Sequence, residues 1–114
     1  MPPSGGSLVK SDSLTGTALL IQTKALILTA VHAVNTTGAD AYIQLFDAAA
    51  AADVTLGTTV PDWVVMSDFG VGLVSVSDGL PTYGLSFRLG IVAASTTTPT
   101  GNTGAIQHAR FVIF

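Results

Sequence analysis

The two histidines, His32 and His108, are the residues of this chain best suited to binding a metal ion or transferring protons near neutral pH. Each lies in a predicted strand with apolar neighbours. A metal site would need both histidines on neighbouring strands, together with a third ligand such as Asp40 or Asp47. Because the sequence does not set that geometry, we expect the histidines to hydrogen-bond within a sheet or an interface, and we expect no metal site.

The seven aspartates are the other candidates, since paired carboxylates can hydrolyse glycosidic bonds. Most fall in or beside predicted turns, where an aspartate accepts hydrogen bonds from backbone N–H groups. These are Asp40, Asp53, Asp62, Asp68 and Asp78, while Asp47 ends a strand and is interpreted in the same way. The chain also lacks a G-x-S-x-G elbow, an H-E-x-x-H motif and a P-loop. We therefore predict no catalytic residue and no cofactor, and we expect that the protein is not an enzyme.

The composition indicates a protein that functions by binding other proteins. The 114 residues suit one domain, and only 10% of them are charged, against roughly 25% in an average protein. A surface so poor in charge is either covered with Thr and Ser or covered by partners, and we favour partners. The four basic residues, Lys10, Lys24, Arg88 and Arg110, are scattered and the net charge is -3, so we expect no binding to nucleic acid.

Cysteine is absent, which excludes disulfides and thiolate metal sites. The most apolar stretch, residues 25–34, is interrupted by Thr29 and His32 and is too short to span a bilayer. We therefore expect no membrane partner.

Apolar and β-branched runs alternate with turn residues at intervals of about ten, which is typical of a β-sandwich or barrel. The predicted strands cover residues 17–22, 26–35, 41–46, 58–66, 71–76, 86–95 and 105–114. Residues 47–57, with five consecutive alanines, are interpreted as a loop with at most one helical turn. Residues 1–13, rich in Pro, Gly and Ser, are predicted to form a flexible arm. Residues 14–114 then form a single antiparallel β-sandwich of seven or eight strands, with jelly-roll and Ig-like topologies both open.

Strand alternation predicts which side chains share a face. In the second strand, Leu26, Leu28, His32 and Val34 should lie on one face, with Ile27, Thr29, Val31 and Ala33 on the other. In the last strand, Ile106, His108, Arg110, Val112 and Phe114 should alternate with Gln107, Ala109, Phe111 and Ile113.

Six residues are predicted to contact protein partners. Leu8 and Val9 are apolar anchors in the arm, and Phe111 and Phe114 belong to an apolar C-terminal strand that suits a core or an interface. Trp63 and Tyr83 are the aromatic residues that could lie on an interface or form a platform for a sugar.

Three stretches of the chain form a recognisable pattern. They are A-Y-I-Q-L-F-D within residues 39–47, L-G-T-T-V-P at 56–61 and F-R-L-G-I-V-A-A-S-T-T-T at 87–98. In this order they resemble small β-sandwich proteins from the virions of tailed bacteriophages. The resemblance implies a structural protein located in the virion, which decorates and cements the capsid surface across subunit junctions. The partner that the resemblance implies is the major capsid protein. The surface poor in charge and the apolar residues on both faces of residues 26–34 separately predict that the protein self-associates, as a dimer or trimer. The alternatives are a tail or neck component and a carbohydrate-binding module of a receptor-binding tip.

Overall fold

The computed structural model describes residues 8–35, 39–67, 72–75 and 84–113. These residues form nine β-strands and a short 3₁₀ turn. They are β1 (Leu8–Leu14), β2 (Leu19–Thr23), β3 (Leu26–Asn35), β4 (Ala41–Asp47), the 3₁₀ turn (Ala51–Asp53), β5 (Trp63–Ser67), β6 (Gly72–Ser75), β7 (Leu85–Phe87), β8 (Gly90–Thr96) and β9 (Gln107–Ile113).

The strands form two sheets. The five-stranded sheet has the order β1-β9-β3-β6, with β7 also paired to β3, and the four-stranded sheet has the order β2-β8-β4-β5. Every strand pair is antiparallel. The predicted all-β antiparallel sandwich is confirmed.

Strand pairing is nested along the chain. The innermost pair is β4 with β5, followed by β3 with β6 and β7, then β2 with β8, and finally β1 with β9. This long double ribbon is rolled so that β9 also pairs with β3 and β8 with β4. The result is a jelly roll. An Ig-like sandwich would place its first two strands side by side, whereas β1 and β2 lie in different sheets.

Apolar side chains from both sheets fill the space between them. The members of this central core are Leu14, Ile21, Leu26, Leu28, Val31, Ala33, Ile43, Leu45, Val65, Phe87, Ile91, Ala93, Ala109, Phe111 and Ile113. On β9 the buried residues are Gln107, Ala109, Phe111 and Ile113, as the alternation predicts. The core therefore fixes which residues of β9 face outward.

A β-bulge in β3 changes the predicted faces of that strand. The register with β9 passes from Leu28 opposite Ile113 to Ala30 opposite Val112, so Thr29 is the extra residue. The Thr29 hydroxyl donates a hydrogen bond to the carbonyl oxygen of Val112, at 3.1 Å. The buried residues are Leu26 and Leu28 before the bulge and Val31, Ala33 and Asn35 after it. The prediction that grouped His32 and Val34 with Leu26 and Leu28 is therefore wrong.

The prediction that residues 1–13 form a flexible arm is wrong from Leu8 onward. Residues 1–7 lie outside the described residues, but Leu8–Leu14 forms β1 and pairs along its whole length with β9. The Pro, Gly and Ser content that suggested an arm is concentrated before Leu8, while L-V-K-S-D-S-L can pair as an edge strand.

The predicted strand 86–95 is two strands in different sheets. β7 pairs with β3 and β8 pairs with β2 and β4, and the turn at Arg88 and Leu89 carries the chain from one sheet to the other. Gly90 permits this crossing because its φ is +148°, and a Cβ there would collide with the carbonyl oxygen of Gln22. The predicted strand 58–66 begins only at Trp63, after Pro61, and lies at a sheet edge as proline requires.

Candidate binding face on the five-stranded sheet

The outer face of the five-stranded sheet is formed mainly by β3 and β9. Because β9 buries alternate residues from Gln107, it turns His108, Arg110 and Val112 outward. Because of the bulge at Thr29, β3 turns Ala30, His32 and Val34 outward on the same side. The bulge is thus the local feature that brings His32 to the surface beside Arg110.

The register between β3 and β9 sets the geometry of this face. His32 lies directly opposite Arg110, and Val34 lies directly opposite His108. Opposed residues in an antiparallel pair have Cβ atoms about 5 Å apart. These four side chains line an open depression of about 280 Å³. His108 and Arg110 are exposed, whereas His32 and Val34 are half-buried.

The depression is rich in hydrogen-bond donors. Arg110 supplies a planar guanidinium with five N–H groups, and each histidine supplies one N–H when neutral and two when charged. Its lining, taken over the described residues, includes no carboxylate. The chemistry that this arrangement supports best is the binding of an anionic group.

The histidines lie on neighbouring strands, as a metal site would require. However, the described residues contain no group of three His, Asp or Glu side chains that could hold a metal ion. Asp47, one of the proposed third ligands, ends β4 in the other sheet and is engaged there. A metal at His32 and His108 therefore has no described third protein ligand.

Asp47 instead holds the turn between β7 and β8. Its carboxylate accepts hydrogen bonds from the backbone N–H groups of Arg88, at 3.0 Å, and Leu89, at 2.8 Å. The carboxylate of Asp62 accepts a hydrogen bond from the N–H of Asp47 at 2.7 Å. Burial opposes ionisation of Asp47, but hydrogen bonds from the Leu89, Arg88 and Gly90 amides and the charge of Arg88 outweigh it, so the pKa of Asp47 is lowered. The turn-forming role predicted for Asp47 and Asp62 is confirmed.

Much of the outer face of the four-stranded sheet is covered by the chain itself. Residues 48–62, which include the 3₁₀ turn, lie over Phe46 and Val92 and form a second apolar cluster with them. Its buried members are Phe46, Ala48, Val54 and Val92, with Ala18, Leu20, Ala51 and Leu56 packed around them. The prediction of a loop with one helical turn in this region is confirmed.

The loop at 97–103 covers a second part of that face, over Gln44, while Met66 of β5 remains 48% exposed. The Gln44 side chain is fully buried and donates hydrogen bonds to the hydroxyl oxygen of Thr96, at 2.8 Å, and to the carbonyl oxygen of Gly101, at 3.0 Å. Among the residues that the structure describes, the Gln44 Oε1 atom has no hydrogen-bond partner. The hydrogen bond from Gln44 to Gly101 therefore holds the loop against the outer side of β4.

The predicted contact residues do not form one surface. Phe111 is fully buried in the central core, and Trp63 is half-buried and packs against the same core. Leu8 and Val9 belong to β1, opposite Ile113 and Val112 of β9. Tyr83 and Phe114 lie outside the described residues.

Sequence reasoning missed the cluster of His32, Val34, His108 and Arg110 as a unit. The alternation in the last strand did place His108 and Arg110 on one face, which was the available signal. The pairing of β3 with β9 and the bulge in β3 were needed to complete the cluster, and neither has a local sequence signature.

Comparison of the chain with protein-family models, with curated protein sequences and with solved structures gave no match in any of the three. A search of the described residues for a helix long and apolar enough to cross a membrane found none.

Proposed function

We propose that the protein is a structural component of a bacteriophage virion, which decorates the capsid surface and binds across subunit junctions through the outer face of its five-stranded sheet. The observation that carries the proposal is the exposed and half-buried row of His32, Val34, His108 and Arg110 on that face. The resemblance of residues 39–47, 56–61 and 87–98 to phage virion proteins is our reason for proposing a virion as the assembly that the protein binds. Jelly rolls are common in viral coat proteins, although they also occur in lectins and cupins.

The size of the face favours attachment in many copies. The seven residues of β9 span roughly 24 Å, and four strands about 4.8 Å apart add roughly 15–19 Å, which gives a projected area of roughly 400 Å². A standard interface buries about 800 Å² per partner. The face of one copy is therefore a contact of modest extent, and affinity depends on how well it is matched rather than on its area. A dimer or trimer that contacts several shell subunits at once would bind more tightly, because its second contact is intramolecular.

The function is tested by comparing particles with and without the protein. Purified particles should contain the protein by mass spectrometry, and particles that lack it should release their genome at a lower temperature. Adding back the wild-type protein should restore the higher release temperature. Equal release temperatures, with the protein verified as absent from one sample, would contradict the cementing role. Particles that lack the protein and also lack tails, or fail to adsorb, would instead indicate a tail or neck component.

Attachment through the proposed face is tested with two variants of equal charge. Arg110→Glu changes a residue of the face, while Arg88→Glu makes the same change in the turn between β7 and β8. Both residues are exposed. We expect Arg110→Glu to lose binding to stripped particles and Arg88→Glu to bind like the wild type. Equal binding of the two variants would exclude the outer face of the five-stranded sheet as the attachment surface.

A further inference from the structure

We propose that the depression between β3 and β9 receives the carboxylate groups of an acidic, partly apolar segment on the partner protein. The inference rests on the proposed function, which supplies a protein as the partner, and it adds the chemistry by which that partner is recognised. Its starting point is the contrast between the depression and the rest of the chain. The chain carries a net charge of -3, yet the described lining of the depression has one guanidinium, two imidazoles and no carboxylate.

The spacing suits a carboxylate. Arg110 can hold both oxygens of one carboxylate in a bidentate pair, which is its preferred geometry. His32 lies beside it across the strands, about 5 Å away at Cβ. His108 lies two residues along β9, about 7 Å away. One acidic side chain can therefore reach Arg110 and His32 together.

The volume sets the size of what enters. Pockets for drug-sized ligands measure about 300–1,000 Å³. The depression measures about 280 Å³ and is open. It can hold one or two side chains of a partner, whose backbone would lie across the sheet.

The surroundings favour a protein segment over a free anion. Val34 forms part of the lining, the half-buried Ala30 and Val112 lie in the next row of the sheet, and Ile106 just before β9 is 66% exposed. A free phosphate gains nothing from these apolar side chains, whereas a protein segment with apolar residues beside its carboxylates would bury them.

Charge disfavours a second copy of the chain in a symmetric pair through this face. A two-fold contact brings the same patch of each copy together. The Arg110 guanidinium would then lie near the Arg110 guanidinium of its counterpart, and like charges opposed across an interface weaken binding. An acidic partner makes the complementary arrangement.

The inference is tested on the full-length protein by NMR titration with three probes. The probes are a short blocked peptide of alternating aspartate and valine, sodium acetate at the same carboxylate concentration, and sodium phosphate. We expect the peptide to shift the amide signals of residues 30–34 and 108–112 at concentrations where acetate and phosphate shift them little. Arg110→Gln should weaken peptide binding about tenfold, the factor that corresponds to losing one hydrogen-bonded charge pair.

Arg88→Gln is the matched control, because it removes the same charge from another exposed site and should leave peptide binding unchanged. If both variants weakened peptide binding equally, the effect would come from the net charge of the protein rather than from the depression, and the inference would be wrong. Equal shifts with phosphate would assign the depression to free oxyanions instead. Shifts of these signals with protein concentration alone would assign it to a second copy. The titration needs no particle, so the peptide can fail to bind while the protein is still found on particles. Equally, the peptide can bind although the protein proves absent from particles.

Discussion

The two sheets of this jelly roll carry opposite kinds of outer face. On the four-stranded sheet, Phe46 and Gln44 point away from the central core and are nevertheless buried, because residues 48–62 and 97–103 fold back over them. On the five-stranded sheet, His108 and Arg110 point away from the core and are exposed. Most of one outer face is therefore a second core, with Met66 exposed at its β5 edge, and the other is a surface on which side chains remain accessible.

This difference separates residues that stabilise the fold from residues that are available for binding. Apolar area buried under a loop contributes to the free energy of unfolding. Removing it should therefore destabilise the isolated protein. Side chains on an exposed face contribute little to the free energy of unfolding. Removing them should therefore weaken binding to a partner and leave the stability of the isolated protein nearly unchanged. Substitutions on the two faces should therefore differ in how far they lower the free energy of unfolding.

The largest effect is expected at Phe46. Phe46→Ala should lower the free energy of unfolding by about 3–5 kcal/mol, because it removes a side chain that is only 1% exposed and leaves a cavity under residues 48–62. Val112→Ala, on the outer face of the other sheet, should cost about 1 kcal/mol or less because Val112 is half-buried. Urea unfolding of both variants makes the comparison, and equal losses would show that the two faces do not differ.

A smaller effect is expected at Gln44. Gln44→Leu should cost about 1–3 kcal/mol, because the Thr96 hydroxyl and the Gly101 carbonyl lose their hydrogen-bond donor. The amides of residues 98–103 should then exchange with solvent faster, since the loop is no longer fastened to β4. A double-mutant cycle with Thr96→Val isolates the side-chain pair. Additive losses in that cycle would show that the hydrogen bond between Gln44 and Thr96, which joins β4 to β8, adds no coupling free energy.

A pH-dependent effect is expected at Asp47. Its pKa lies below the ordinary value of 3.8, so the ionised form stabilises the fold above that pH, and the contribution disappears as the pH falls through the lower folded-state pKa. Asp47→Asn should cost about 1 kcal/mol at pH 7, with the deficit shrinking below about pH 4. Asp53→Asn, an exposed aspartate of the 3₁₀ turn, is the control and should change little. A deficit that stayed constant from pH 7 to pH 2.5 would contradict this role.

The smallest effect on folding is expected at Arg110. Arg110→Gln should change the free energy of unfolding by no more than about 0.5 kcal/mol, since its side chain is exposed on the outer face. Urea unfolding measures this directly. A loss above about 1.5 kcal/mol would place Arg110 among the residues that stabilise the fold.

Much of the fold could be predicted from the sequence because alternation and turn residues are local signals. The alternation of Gln107, Ala109, Phe111 and Ile113 with outward residues is an example. The bulge at Thr29 could not be predicted, because an extra residue in a strand leaves the composition unchanged and is stabilised by a distant partner, the carbonyl of Val112. The depression depends on that bulge and on the pairing of β3 with β9, whose opposed residues His32 and Arg110 are far apart in sequence. Its members were visible in the sequence, but their assembly was not.

We propose that the protein binds its partner through the outer face of the five-stranded sheet and not through the outer face of the four-stranded sheet. Hydroxyl-radical footprinting of the protein, free and bound to its particle, tests it most directly. Both histidines lie on the proposed binding face, whereas Met66, 48% exposed, and Leu89, 56% exposed, lie elsewhere on the molecule. We predict that binding lowers the oxidation rates of His32 and His108 and leaves those of Met66 and Leu89 unchanged. Unchanged oxidation of the histidines, with protection of Met66 or Leu89, would contradict the claim.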